Sequence, residues 1–175
     1  MTIRPEVPDD HAAVQGIVAE AFAGTEFGHQ GEADLVIALR KAPEAISLVA
    51  IEGDRVCGHI LFTRVRIHAG DERIEGLGLA PMAVDPEWQG RGIGSSLVEA
   101  GLCLSKERDV PFVVVYGHPD YYPRFGFVPA LECDLRHGFE GMPLDLFFVR
   151  ILDDRVLARI RGGTARYREA FGPQD

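Results

Sequence analysis

The spacing of polar and apolar positions changes several times along the chain, and each change marks an element. Val14, Ile17, Val18, Ala21 and Phe22 recur at helical spacing behind Asp9 and Asp10, which predicts a helix capped by one of those aspartates. Residues 2–7 read as a short edge strand, because Pro5 lacks the N–H that a central strand needs. Residues 24–31 are expected to be a glycine-rich flexible loop, and residues 32–41 a second helix ended near Pro43. Residues 45–51 and 56–68 read as strands turned at Gly53 and Asp54. The chain turns again over 69–72, and residues 73–84 return as a third strand, completing an antiparallel meander. Ile93, Leu97, Ala100, Gly101 and Leu104 then mark one face of a helix over 92–107. The near-continuous apolar run 111–116 reads as a strand buried on both faces, and the strand–helix–strand order implies a parallel pairing. Short strands follow at 127–130 and 144–152. The expected fold is α/β: a mixed sheet in which an antiparallel meander joins one parallel crossover, with helices on both faces.

The junction between the third strand and its helix carries the chemistry. Asp85-Pro86 makes a turn, because proline disfavours helix at the residue before it. Gln89, Gly90, Arg91, Gly92, Ile93, Gly94 and Ser95 follow and open the helix. Glycines here leave backbone N–H groups uncovered, at the positive end of a helix dipole where those groups lack partners. Such a loop is a cradle for a phosphate or pyrophosphate. A P-loop is excluded, since no Gly-Lys-Ser/Thr follows. The dinucleotide fingerprint is one residue short, since the run is Gly-x-Gly-x-Gly. Glycines kept only for close packing would give the same pattern.

The segment Gln89-Gly-Arg-Gly-Ile-Gly94 resembles the Gln/Arg-x-x-Gly-x-Gly/Ala motif of the GNAT superfamily of N-acetyltransferases, and the strand before it resembles that family's fourth strand. A second segment, Tyr121-Tyr-Pro-Arg-Phe-Gly-Phe127, resembles the family's Tyr-x-x-x-Gly-Phe, with Tyr122 four residues before Gly126. The two lie in the family's order, and the resemblance covers roughly residues 1–150. It implies acetyl-CoA as acyl donor, with its pyrophosphate on the loop at 89–95. Its pantetheine arm would pair with the backbone of Met82, Ala83 and Val84, and a backbone N–H there would polarise the thioester carbonyl. It also implies that Tyr122 donates a proton to the leaving thiolate, and it offers Glu75 as a base because some relatives place a glutamate on that strand. Glu26 and His29 lie in the loop that frames acceptor sites in this family. Pro81 reads equally as a break in strand pairing or a plain edge or bulge position.

The residues add candidates of their own. A free amine with a pKa of about 10.4 must lose a proton before it attacks, so a base or water chain is needed. His118, just past a buried strand, is one candidate, and a turn histidine bonded to backbone is the competing reading. Glu75 reads equally as an exposed strand residue, and His59 and His68 as structural or surface residues. Neither motif contains a cysteine, so direct attack in a ternary complex is expected rather than an acyl-enzyme.

Composition narrows this further. At 175 residues, 46% of them hydrophobic, the chain is expected to be one globular domain, with residues 153–175 as a basic C-terminal extension. The formal charge of −9, from 27 acidic and 18 basic residues, argues against nucleic acid as a partner. Three widely spaced cysteines suggest neither a disulfide framework nor a metal site, and fit a cytoplasmic setting. The first ten residues lack the pattern of a signal peptide, and no apolar run is long enough to span a membrane. An acetyltransferase acting on a small-molecule or peptide primary amine is the first reading. A non-catalytic acyl-CoA sensor is the second, and a domain binding another nucleotide the third.

Overall fold

The computed structural model describes residues 1–23 and 31–174. Glu26 and His29 therefore lie outside the described residues. The chain packs as two compact units, one of Met1–Phe62 with Ala80–Leu104, the other of Thr63–Leu79 with Ser105–Asp175.

In the first unit, β1 (Thr2–Pro5) pairs antiparallel with β2 (Ile46–Glu52), and β2 with the first part of β3 (Arg55–Ala69). β1 is an edge strand, which is where its proline is tolerated. α1 (His11–Phe22) and α2 (Glu32–Leu39) bury Val14, Ile17, Val18 and Val36 against Val49 and Ala83. The expected aspartate cap takes another form. Asp10 precedes α1, but its carboxylate reaches back to the Val7 N–H at 2.8 Å and holds Arg4 through bonds of 2.7 and 2.9 Å. That guanidinium holds the Asp10 carboxyl below its usual range.

α3 (Ile93–Glu107) lies against β3 at positions where side chains are missing. A Cβ added at Gly58 would sit 3.0 Å from both Ile93 and Leu97, and one at Gly101 only 2.2 Å from the ring of Phe62. A polar cluster is buried in the same unit. Arg40 Nη1 lies 3.1 Å from Glu6 Oε1, and the Ser47 hydroxyl donates to the other oxygen of Glu6. Ser47 Oγ is 2.9 Å from His59 Nε2, so the imidazole donates there. Burial, then the charge of Arg40, lower the His59 pKa to about 3.

In the second unit, the rest of β3 turns at Gly70 (φ +56°) into β4 (Glu72–Val84), whose early part belongs here. β5 (Phe112–Tyr116) pairs parallel with β4, with Leu77 opposite Val113. β6 (Val128–Pro129) is short and pairs with β8 (Phe147–Ile151), which runs antiparallel to β5. Residues expected at the start of β8 instead form a 3-10 turn, Leu144–Leu146, entered from Pro143.

Three elements, two strands and a helix, are additional to the sequence reading. β7 (Arg136–His137) pairs parallel with β9 (Thr164–Arg166), and β9 pairs antiparallel with β3, Ile67 opposite Ala165. α4 (Leu157–Ile160) precedes β9. The C-terminal segment is basic only on its outside. Arg159 pairs with Glu72 at 2.7 Å and Arg155 with Asp153 at 2.8 Å, while Val156, Ile160, Ala165 and Tyr167 enter the core with Val65, Phe112 and Phe147.

Two expectations follow. Gly101→Ala will destabilise the protein by ~1–3 kcal/mol through overpacking, although glycine to alanine in an open helix gains about 1 kcal/mol. Urea unfolding reads this, and the penalty shrinks in a Phe62→Leu background if the clash is its source. The second concerns pH. An unfolded histidine protonates near pH 6.5, whereas folded His59 resists protonation down to about 3. Between those values the unfolded chain holds the extra proton, so stability falls as pH falls, by at most ~1.4 kcal/mol per pH unit. His59→Gln should flatten that slope between pH 6.5 and 4.5, and an unchanged slope would assign the acid sensitivity to other groups.

Candidate active site

In the first unit, β4 ends at Val84 and one residue sets the turn beyond it. The Asp85 N–H donates to the Cys57 carbonyl at 3.0 Å, its carboxylate accepts from the Glu87 N–H at 2.9 Å, and its carbonyl accepts from the Trp88 N–H at 2.8 Å. The Gln89 side-chain amide donates back to the Val84 carbonyl at 3.1 Å, tying the loop to the strand end. Arg91 lies over the Trp88 ring, 4.8 Å from its centre, and donates to the Glu87 carbonyl at 3.1 Å. Of the preceding strand residues, Ala83 is buried and Met82 and Val84 are half-buried.

The loop itself requires glycine. Gly90 and Gly92 have φ of +73° and +80°, and a Cβ built on either would meet nothing within 4 Å. Backbone conformation, not crowding, selects glycine here, and the space over the loop is open. The Ser96 N–H donates to the Gly92 carbonyl at 3.0 Å, so Gly92 opens the helix. By helix geometry the N–H groups of Ile93, Gly94 and Ser95 then have no carbonyl one turn back, and they sit at the positive end of α3. Gln89 differs from expectation, since its N–H donates to the Pro86 carbonyl at 3.5 Å. The stretch suited to an anion is therefore residues 90–95.

In the second unit, Tyr122 opens the 3-10 turn Tyr122–Phe125, closed by Gly126 at φ +77°. Its ring stands edge-on to Tyr121 at 5.2 Å and to Phe127 at 5.6 Å. A Cβ on Gly117 would lie 2.5 Å from that ring, so Gly117 is what admits it, a requirement the sequence reading missed. Burial pushes the Tyr122 phenol well above its usual range. Tyr121 is half-buried, with Arg124 over its ring at 4.5 Å from the centre. The neighbouring tyrosines thus occupy unlike settings.

The other candidates sit apart from such burial. His118 is exposed, and its carbonyl accepts the Tyr121 N–H at 3.1 Å. Glu75 points outward from β4, with its carboxylate 2.8 Å from Arg66 and 3.9 Å from Arg64, the arrangement of an exposed strand residue. Among the described residues, no three histidine, cysteine or acidic side chains gather as metal ligands, and no helix is long and apolar enough to cross a membrane.

The chain resembles known proteins in sequence and fold. Residues 2–130 match the model of the acetyltransferase (GNAT) domain. The chain is 42% identical over 107 residues to the uncharacterized N-acetyltransferase YjhQ of Escherichia coli, a stretch that spans 59% of each protein. It is 33% identical over 173 residues to the uncharacterized N-acetyltransferase YhbS of Escherichia coli, covering 98% of both. The crystal structure of Escherichia coli YhbS in complex with CoA superposes with a TM-score of 0.84 at 32% identity, over 97% of this chain and 91% of that one. A GNAT family acetyltransferase from Brucella melitensis in complex with acetyl-CoA gives 0.78 at 32% identity, over 98% and 97%. Sequence and fold thus agree with the glycine loop: the chain belongs to the GNAT family of N-acetyltransferases.

Proposed function

We propose that the chain binds acetyl-CoA through residues 90–95 and transfers the acetyl group to a primary amine by direct attack. The observation that carries this reading is the open, left-handed glycine loop at the start of α3. Two relatives of matching length were solved with CoA or acetyl-CoA bound. A pyrophosphate on such a loop meets backbone donors and the helix dipole without needing a lysine.

Acetyl-CoA supplies an activated acyl group, and the chain's work is to hold it and manage protons. Strand-like pairing with the pantetheine amides falls to the backbone of Met82, Ala83 and Val84, and the Val84 carbonyl also accepts from Gln89. Tyr122 is the proposed acid. Burial keeps the phenol protonated at neutral pH and also makes it a weaker acid, so it would donate only as the thiolate charge develops. Glu75, held outward by two arginines, has no part in this scheme. Exposed His118 is a secondary candidate for the proton transfers.

Acetyl-CoA at ~100 times its Kd should stabilise the fold by ~2.7 kcal/mol, read as a rise in Tm, whereas ATP and NAD should not. Gly92→Val forces a β-branched side chain into a left-handed conformation, at a cost of ~1–2 kcal/mol. The variant should remain folded without ligand and lose the acetyl-CoA shift. A retained shift would remove the loop from the donor site.

Tyr122→Phe keeps the ring packing and deletes only the hydroxyl. Acetyl-CoA affinity should be nearly unchanged while the maximal rate falls by ~10²–10⁴-fold. Tyr121→Phe should cost far less. If Tyr121→Phe proves the crippled variant instead, the acid is Tyr121. If both keep full rate, water or His118 donates the proton.

A further inference from the structure

One sheet face of the second unit concentrates positive charge that acetyl transfer does not use, in a chain whose formal charge is −9. Strand alternation defines this face. Val65, Ile67, Ile74, Leu135, Ala165 and Tyr167 are buried, so the residues that alternate with them point outward. Those are Arg64, Arg66 and His68 on β3, Arg73 and Glu75 on β4, Arg136 on β7 and Arg166 on β9. Pairing gathers them. Arg66 lies directly opposite Arg166, and both His68 and Arg136 lie opposite Thr164.

At these outward positions Glu75 is the single carboxylate. It takes Arg66 at 2.8 Å and Arg64 at 3.9 Å. Arg166 donates to the Gln174 carbonyl at 3.1 Å, and among the described residues Arg73 and Arg136 hold no carboxylate. Like charges directly opposite on paired strands destabilise a sheet, and Arg66 and Arg166 are such a pair. Burial, and after it the charges of Arg73, Arg166 and Arg66, hold the His68 imidazole below its usual range, as crowded positive charge requires. The fixed cations here are all arginines, whose planar fork pairs with a carboxylate through two hydrogen bonds.

We propose that this face docks an acidic segment of a polypeptide partner, bound in extended form with aspartate or glutamate at alternate positions. Such docking is independent of acetyl transfer. Side chains on one face of an extended chain repeat every ~7 Å, which is also the spacing of Arg64, Arg66 and His68 along β3. Carboxylates at alternate positions of the segment therefore meet the arginines in register. Charge also limits the size of the partner. The chain as a whole repels a long polyanion such as nucleic acid, or an anionic membrane, whereas a short acidic segment meets only the cationic face.

The test follows fluorescence anisotropy of short labelled probes on the full-length protein: a peptide alternating Glu and Thr, one alternating Gln and Thr, and an oligothymidylate. Phosphatidylserine vesicles are added in a flotation assay. The Glu–Thr peptide should bind, and the Gln–Thr peptide ~10-fold more weakly or not at all. Its affinity should fall ~10-fold or more between ~0.1 and ~1 M salt, as the Debye length shortens from ~10 to ~3 Å. Arg73→Glu and Arg136→Glu should each weaken binding ~5-fold or more, with Tm unchanged or raised because crowded positive charge is relieved. Lys41→Glu makes the same change in net charge at an exposed position of the first unit, and should leave binding as it was. Absence of Glu–Thr binding at ~0.1 M salt overturns the docking surface. So does a loss in Lys41→Glu as large as in Arg73→Glu, which would assign the effect to net charge alone. Tighter binding of the oligothymidylate or the vesicles than of the peptide overturns the polypeptide assignment.

Discussion

The close seating of α3 on β3 is the constraint from which the glycine loop follows. Gly58 leaves room for Ile93 and Leu97, and Gly101 leaves room for the Phe62 ring. Ile93 is the first residue of the helix and packs directly on the strand, so that contact fixes where the helix begins. Asp85 fixes the other end of the junction through its bond to Cys57. Between these two anchors the chain has few residues in which to turn, and it does so with positive φ at Gly90 and Gly92. The exposed N–H groups are a product of this geometry: a helix pinned tightly from its first turn presents its positive end in a defined place.

The second unit uses the same device for a different purpose. Gly76, Gly78 and Gly117 each vacate a position that an aromatic ring then occupies, namely Phe112, Tyr167 and Tyr122. Rings held this way have little freedom to turn, so their polar ends stay where the packing puts them. A tyrosine hydroxyl buried without a partner costs stability.

Much of the fold was legible because its signals are local. The period of Val14, Ile17 and Val18, the turns at Gly53 and Gly70, and the apolar run ending at Tyr116 each sit within a few residues of the element they specify. The glycine loop was legible for the same reason, since a left-handed backbone admits few residues besides glycine. The Asp10 cap was misread because Arg4 and the Val7 N–H, both upstream, compete for the same carboxylate. β7 and β9 were missed because each is two or three residues long and pairs with a partner remote in sequence, so neither has a period to detect. Glu75 illustrates the converse difficulty: its place on the strand is readable, but its pairing with Arg66 depends on β3 lying alongside.

The same difference separates the two halves of the proposed reaction. A pyrophosphate can be recognised by backbone N–H groups, and backbone conformation leaves a mark in the sequence as glycines at fixed offsets. An amine is recognised by side chains, which come from elements remote in sequence and meet only once a fold is complete. Backbone conformation of the first kind is written in a few adjacent residues, whereas a side-chain site is assembled from distant ones, so the donor half of the proposed reaction is readable in the sequence and the acceptor half is not.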